Sequence, residues 1–443
     1  MAEQAAAGLQ ASTAEEVAAA RWLDAEDATT RHALAWAMAH DPAMALRLAV
    51  ALAPWCLLRD NLVSHRPLLR EAAAYAAPGS DGWCAAHFWL GLASTFTADM
   101  PGALGYFTGV CDAIGDRPPS RMLADCLRGR SGALANMGRV AEAAADARRA
   151  LALARELGDP AREATALDRL AVAVFRAGDL GTALQLAVQA EQTSVDVPGW
   201  IAGVRKISVF LAFVLTEAGE LAEAGRVCAS GLDRAREAGD SWTQARLLVQ
   251  MATLDLRAAR IQDAAARLRE ALQITARTGG DFELQNHLDC CGYLCTATGR
   301  YADAVTVWAA HAALLRRQGY GNSPAEARRQ HEALRKARQA LGPGRARAAG
   351  ERGTAMSRDT AAEYALWLTD LRPPRSAPDP WKLSAREREL VTLVAQGRTN
   401  AQIAAQLYLS IRTVTSHLDR IRDKTGCRRR ADLTRLALSE GLL

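Results

Sequence analysis

From residue 98 to residue 304, apolar side chains recur at helical spacing and the runs are punctuated by one short signature: glycine, any residue, a large apolar residue, two spacers, alanine. It stands at Gly138-Arg139-Val140 with Ala143, Gly178-Asp179-Leu180 with Ala183, Gly219-Glu220-Leu221 with Ala224, and Gly299-Arg300-Tyr301 with Ala304. Degenerate copies are Ala98-Asp99-Met100 with Ala103 and Ala259-Arg260-Ile261 with Ala264, so the alanines fall at 103, 143, 183, 224, 264 and 304. Asp60-Asn61-Leu62 is a worn seventh copy. A second breaker follows many units, at Gly158-Asp159, Gly239-Asp240, Gly279-Gly280 and Gly319-Tyr320. The pattern predicts about seven helix hairpins of 40 residues, with no sheet of three or more strands between residues 100 and 320. Glycine supplies a left-handed turn position, and the alanine after it lets two helices approach closely.

The register resembles tetratricopeptide repeats of the longer, 40-residue kind. One such hairpin cannot bury its apolar face alone, so the expectation is a helical-hairpin superhelix with a concave surface. That surface suits a partner or small ligand whose identity the residues do not show. The alternative is a repeat-based interaction scaffold.

After the last repeat the pattern changes. Pro324 to Leu341 is a basic helical stretch, Gly342 to Gly353 is rich in Gly, Arg and Ala, and residues 372–380 hold four prolines, which excludes a helix there. The expected domains are therefore 1–323 (repeats), 324–371 (helical extension), 372–380 (linker) and 381–443. In the last of these, Ser384 with Glu387 and Thr399 with Gln402 are capping boxes. They open two helices, the first closed by Gly397 and the second running through Leu407 to the turn at Tyr408-Leu409. Ser410 caps a third helix running to Gly426, and a fourth spans Arg430 to Glu440. Two short helices across a tight turn, the second basic, is the arrangement that seats a helix in the major groove.

Charge sharpens this reading. Residues 381–443 carry 12 Lys/Arg against 6 Asp/Glu, and 325–380 carry 11 against 7, in a chain whose formal net charge is only +5. The body before them is therefore acidic, as expected for a nucleic-acid-binding tail on an acidic scaffold. Nine cysteines, an odd number lying mostly in apolar helical patterns, suggest a reducing cytoplasm rather than a disulfide framework. The N-terminus lacks the basic and apolar runs of a signal peptide, and the most apolar stretch, Ala45 to Leu58, is broken by Arg47 and Pro54, so no membrane span is expected.

LSAREREL, VAQGRTNAQIAAQLYLSIRTVTSHLDRI and Lys424 resemble the LuxR-type helix-turn-helix signature at Glu387, Gly397, Asn400, Ile403, Ala404, Ser410, Thr413, Val414, His417, Ile421 and Lys424. The repeat region, from RWLDAEDATTRHALAWAMAHD onward, is similar to the corresponding region of maltose-regulator-type signal-transducing ATPases. None of the four lysines follows a glycine, so their P-loop is missing. The chain is then either a short regulator or the C-terminal part of a larger ATP-dependent one. An all-α DNA-binding transcription regulator is implied, with double-stranded DNA as partner through the major groove, no cofactor, and no enzymatic activity.

Sorted at the ~100° step of a helix, Val414, Leu418 and Ile421 form the stripe that enters the domain core. Arg412, Thr415, Ser416 and Asp419 point the opposite way, toward bases, while Thr413, His417, Arg420 and Lys424 line a phosphate-facing flank. The resemblance implies base contacts at Thr415, Ser416 and Asp419, and relatives carrying lysine at 415 and 419 would read a different sequence. It also implies a homodimer through the fourth helix, with Leu433 and Leu436 at the interface and Ala431 and Ala437 allowing close approach; the competing account has the leucines closing the core over Val391 and Leu418. His287, Cys290, Cys291 and Cys295 could line up for a soft metal, but burial as small apolar groups is the stronger reading. Trp83, Trp89, Trp200, Trp242 and Trp308 are assigned to packing.

Overall fold

The computed structural model describes residues 9, 15–97, 99–115, 118–195, 197, 206–278, 281–318, 324–371, 383–439 and 442. Among the described residues there are helices and no strands. Ala98, Trp200, Gly279-Gly280, Gly319-Tyr320, the proline segment 372–380, Glu440 and Gly441 lie outside them. Among the described residues two helices, Glu16–Ala25 and Asp27–His40, precede seven hairpins whose first and second helices alternate. These are Pro42–Leu58 with Leu62–Ala73, Asp81–Phe96 with Met100–Ile114, Arg121–Asn136 with Val140–Glu156, Pro160–Arg176 with Leu180–Ser194, Ile207–Ala218 with Leu221–Ala238, Ser241–Arg257 with Ile261–Thr278, and Asp281–Ala297 with Tyr301–Gln318. Pro324–Leu341, Pro343–Ala355 and Arg358–Leu368 follow, and then four shorter helices of the C-terminal domain.

The turn inside each hairpin is built one way. The residue after the turn position donates its N–H five residues back: Arg139 to Leu134 O at 2.9 Å, Asp179 to Val174 O at 3.2 Å, Glu220 to Leu215 O at 2.9 Å and Arg300 to Cys295 O at 2.8 Å. This bond requires a left-handed residue before it, and Gly138, Gly178, Gly219 and Gly299 have φ of 79°, 97°, 87° and 72°. A Cβ on any of the four would meet nothing within 4 Å, so glycine is there for its dihedral and not for space. The worn copies keep the geometry without glycine: Asp60 and Ala259 sit at φ 57° and 56°, and Asn61 and Arg260 bond back to Cys56 O and Asp255 O.

The signature alanines at 103, 143, 183, 224, 264 and 304 are at most 1% exposed. Twelve residues before each stands a second small residue, on the first helix of the same hairpin: Gly91, Ser131, Ala171, Ala212, Ala252 and Gly292, all buried. At Ser131 the closeness is measurable, because its hydroxyl donates to the carbonyl of Ala143 at 2.7 Å. Four residues after each alanine the size varies, through Phe107, Ala147, Ala187, Cys228, Leu268 and Trp308, every one buried. The large aromatics occur where the small residue is glycine. A Cβ at Gly91 would lie 2.8 Å from the Phe107 ring, and one at Gly292 would lie 2.2 Å from Trp308. Glycine there is a matter of volume.

The chain divides into two compact units, one of Met1–Leu254, Ile274–Glu283 and Arg316–Arg328, the other of Asp255–Gln273, Leu284–Leu315 and Arg329–Leu443. Within the first, Arg59 donates to both oxygens of Asp24, at 2.8 and 2.6 Å, and to the carbonyls of Ala238 and Gly239, each at 3.1 Å. It thereby ties an early hairpin to the helix end of the fifth, whose Ala235 and Ala238 join the same apolar core as Leu34, Leu52 and Leu69. In the second unit, His287, Cys290, Cys291 and Cys295 are buried, and burial pushes the Cys291 and Cys295 thiols up, holding them as neutral apolar groups. Trp308 and Trp242 are buried; Trp83 and Trp89 are half-buried against the core of the first unit.

Two outcomes follow from the turn and the small-residue contact. Ala259→Gly should relieve a left-handed alanine and slow amide exchange around residues 255–264, whereas Gly178→Ala should cost about 1 kcal/mol in urea unfolding. Gly292→Ala should destabilise the second unit by roughly 1–3 kcal/mol, and adding Trp308→Leu should recover part of that loss, giving clear non-additivity in a double-mutant cycle.

Candidate nucleic-acid interface

The C-terminal domain is assembled from caps. Ser384 and Glu387 form the expected reciprocal box at the start of Ala385–Ala395, and Thr399 and Gln402 form another at Asn400–Leu407. Gly397, at φ 80°, ends the first helix, and Tyr408, at φ 56°, ends the second. Leu409 donates back to Ala404 O at 2.9 Å, so a tyrosine holds the left-handed position of the tight turn, its side chain 96% exposed. Ser410 then accepts the N–H of Thr413 at 3.0 Å and opens Ile411–Thr425, which Gly426 closes at φ 70°. The fourth helix is Arg430–Ser439.

Val414, Leu418 and Ile421 are buried in one cluster with Leu390, Val391, Val394, Ile403, Leu433, Leu436 and Ala437. The helix is therefore rotated as its apolar stripe required. Arg412, Thr415, Ser416 and Asp419 are all exposed, Arg420 and Lys424 are exposed on the flank, and Thr413 and His417 are half-buried. Arg412 and Arg420 make no ion pair among the described residues.

Two expectations change. Leu433 and Leu436 are 0% and 6% exposed and join Ala437 in the domain core, and Ala431 is buried as well, so these four residues offer no exposed dimer surface. A bundle of four short helices needs every large apolar group it has, and the fourth helix packs chiefly on the first. Lys424 also has a partner inside the domain: its Nζ donates to Glu387 Oε1 at 2.6 Å, while Glu387 Oε2 accepts the Ser384 N–H at 2.8 Å. One carboxylate thus joins the cap of the first helix to the end of the third. The Lys424 ammonium, and then the Ser384 N–H, hold that carboxyl below its usual range against the burial that raises it.

A second chain of polar contacts was not foreseen, although Asn400 belongs to the signature. Arg430 Nη1 donates to Asn400 Oδ1 at 2.8 Å, and Asn400 Nδ2 donates to Thr415 Oγ1 at 3.3 Å. Arg430 Nη2 also bonds the carbonyl of Arg398. Asp419 is held by Arg422 Nη1 at 2.7 Å, which leaves an oriented acceptor on the exposed face of the helix. The ring of Trp367, on the Arg358–Leu368 helix, meets the guanidinium groups of both Arg300 and Arg435, at 4.3 and 5.8 Å. The exposed face of the third helix remains open in this arrangement.

Residues 382–437 match the family model described as bacterial regulatory proteins, luxR family. Over 69 residues the chain is 44% identical to response regulator Rre1 of Synechocystis sp., and over 66 residues 41% identical to the oxygen regulatory protein NreC of Staphylococcus aureus. Each match takes in 15% of this chain and 30% of the relative's own length. Separately, the helical fold is similar to the Rap conjugation gene regulator of plasmid pLS20, solved in complex with the Phr* peptide, with a TM-score of 0.50 at 17% identity over 70% of this chain and 79% of that one. The chain thus carries a LuxR-family helix-turn-helix domain at its C-terminus and tetratricopeptide-like helices before it. No described helix is long and apolar enough to cross a membrane.

The Glu387 carboxyl, being held low in the folded domain, contributes stability above its unfolded pKa that is lost as pH falls through the lower folded value. Thermal unfolding of the wild type should therefore weaken below the usual carboxylate range. Glu387→Gln should lower the melting temperature at neutral pH and flatten that acid dependence.

Proposed function

With a LuxR-family domain in place at residues 382–437, we propose that the protein is a sequence-specific transcription regulator that docks its Ile411–Thr425 helix in the major groove of double-stranded DNA. The observation that carries this reading is the exposed row of Arg412, Thr415, Ser416 and Asp419 opposite the buried stripe of Val414, Leu418 and Ile421. Beside it, Thr413, His417 and Arg420 face the phosphates, where Arg420 supplies charge that no ion pair among the described residues takes up. Lys424 joins them only through whatever part of its charge the Glu387 pair leaves outward. Four base-facing residues specify few base pairs, so two copies on an inverted repeat are part of the proposal, through a contact other than Leu433 and Leu436.

The repeats, residues 1–323, are proposed to receive a partner or small effector, with 324–371 as an extension and 372–380 as the linker to the DNA-binding domain. The shared fold with a regulator solved in a peptide complex supports this, as does the polar face of the helices Arg121–Asn136 and Pro160–Arg176. There Asp125 takes ion pairs from Arg162 at 2.8 Å and from the buried Nε of Arg128 at 3.8 Å. Close by in sequence, Phe175 meets Phe213 edge-on at 5.2 Å, both half-buried.

Binding of the full chain to duplex DNA should fall steeply with salt. Arg420→Ala should weaken it about equally on all sequences and lower the salt slope by about one. A change of sequence preference in that variant would show that Arg420 reads bases. Absence of salt-sensitive duplex binding by the full chain would favour an interaction scaffold instead.

A further inference from the structure

We propose that Thr415 reads DNA through its methyl group, and that the sequence bound by this protein therefore carries a thymine, recognised by its C5-methyl, opposite that residue. The inference rests on the major-groove reading above and deepens it. Its ground is the hydrogen-bond accounting of one hydroxyl. Thr415 Oγ1 donates to the carbonyl of Ile411 at 3.0 Å, one turn back in its own helix. The same oxygen accepts from Asn400 Nδ2 at 3.3 Å.

The direction of the second bond is settled by a third residue. A guanidinium only donates, so Arg430 Nη1, 2.8 Å from Asn400, must face the amide oxygen, and the amide NH2 must face Thr415. An NH2 group only donates, so the threonine hydroxyl accepts there and its single proton goes to Ile411. The hydroxyl then has no proton to offer the acceptors at guanine N7 and O6, adenine N7 or thymine O4. Its oxygen keeps one lone pair beside the Asn400 bond, and the part of this exposed side chain that no internal bond engages is the Cγ2 methyl. The apolar feature of the major groove is the thymine methyl, and threonine methyl against thymine methyl is a recognised base contact.

Asn400 and Arg430 are on this account positioning residues. Arg430 sets the amide, the amide sets the hydroxyl, and the hydroxyl fixes which part of Thr415 meets the groove. The contact with Arg398 O anchors Arg430 at the other end. A charged or long residue at 415 would carry no such constraint.

The test uses the full chain. Sites are selected from randomised duplex DNA, and each thymine of the selected site is then replaced singly by deoxyuridine, which removes only the C5-methyl. One thymine per half-site should show about fourfold weaker binding, the equilibrium equivalent of one buried methyl group. Thr415→Val, which keeps a methyl, should retain that sensitivity; Thr415→Ser, which keeps the hydroxyl alone, should lose it while still binding. Indifference of the wild type to every deoxyuridine would overturn the inference and leave the DNA-binding reading standing. So would sensitivity that survives in Thr415→Ser, or preference lost in Thr415→Val, which would make the hydroxyl an acceptor for a base. Failure of the full chain to select any duplex overturns the DNA-binding reading itself, and this inference with it.

Discussion

A pair of small buried side chains, one on each helix of a hairpin, recurs about every forty residues and is the constraint on which the rest of the repeat structure depends. At Ser131 and Ala143 it is a measured contact. Alanine on the second helix and glycine, serine or alanine twelve residues earlier on the first are buried in every copy from residue 91 to residue 304. A larger side chain at either place would separate the backbones and open voids elsewhere, because protein interiors are packed at crystal density. The left-handed turn serves this contact by reversing the chain within two residues. That explains why Ala259 and Asp60 accept a backbone conformation ordinarily left to glycine: the geometry is over-determined by the packed helices on both sides. Where one hairpin makes more room, as at Gly91 and Gly292, an aromatic ring fills it.

In the C-terminal domain the organising contacts are polar and few. Glu387 receives Lys424 from the end of the third helix and the N–H of Ser384 from the start of the first, so one carboxylate sets the angle between them. Arg430 and Asn400 do the same between the fourth, second and third helices, and their chain ends on Thr415, on the exposed face of the third. A core of about fifteen small and medium apolar residues leaves little freedom to vary these angles. Lys424, exposed on the flank of the third helix, is a structural strut through its bond to Glu387.

Much of this was legible along the chain. Periodicity, turn residues and capping boxes act over at most a few residues, so the seven hairpins, the caps at Ser384, Thr399 and Ser410, and the rotation of the Ile411–Thr425 helix all follow from local spacing. The alanine register was visible because it recurs, and the exposed row at Arg412, Thr415, Ser416 and Asp419 because a helix has a fixed angular step. Tertiary structure alone decided whatever required knowing what lies across the interface. Leu433 and Leu436 have the same apolar character whether they meet a second copy or their own core, and only the packed bundle shows them inside. Lys424 and Glu387 are 37 residues apart, and Arg430 and Asn400 are 30, separations over which no helical or strand period relates two side chains. The second small-residue register was equally hidden, since glycine, serine and alanine share no signature until the facing ring or carbonyl is seen.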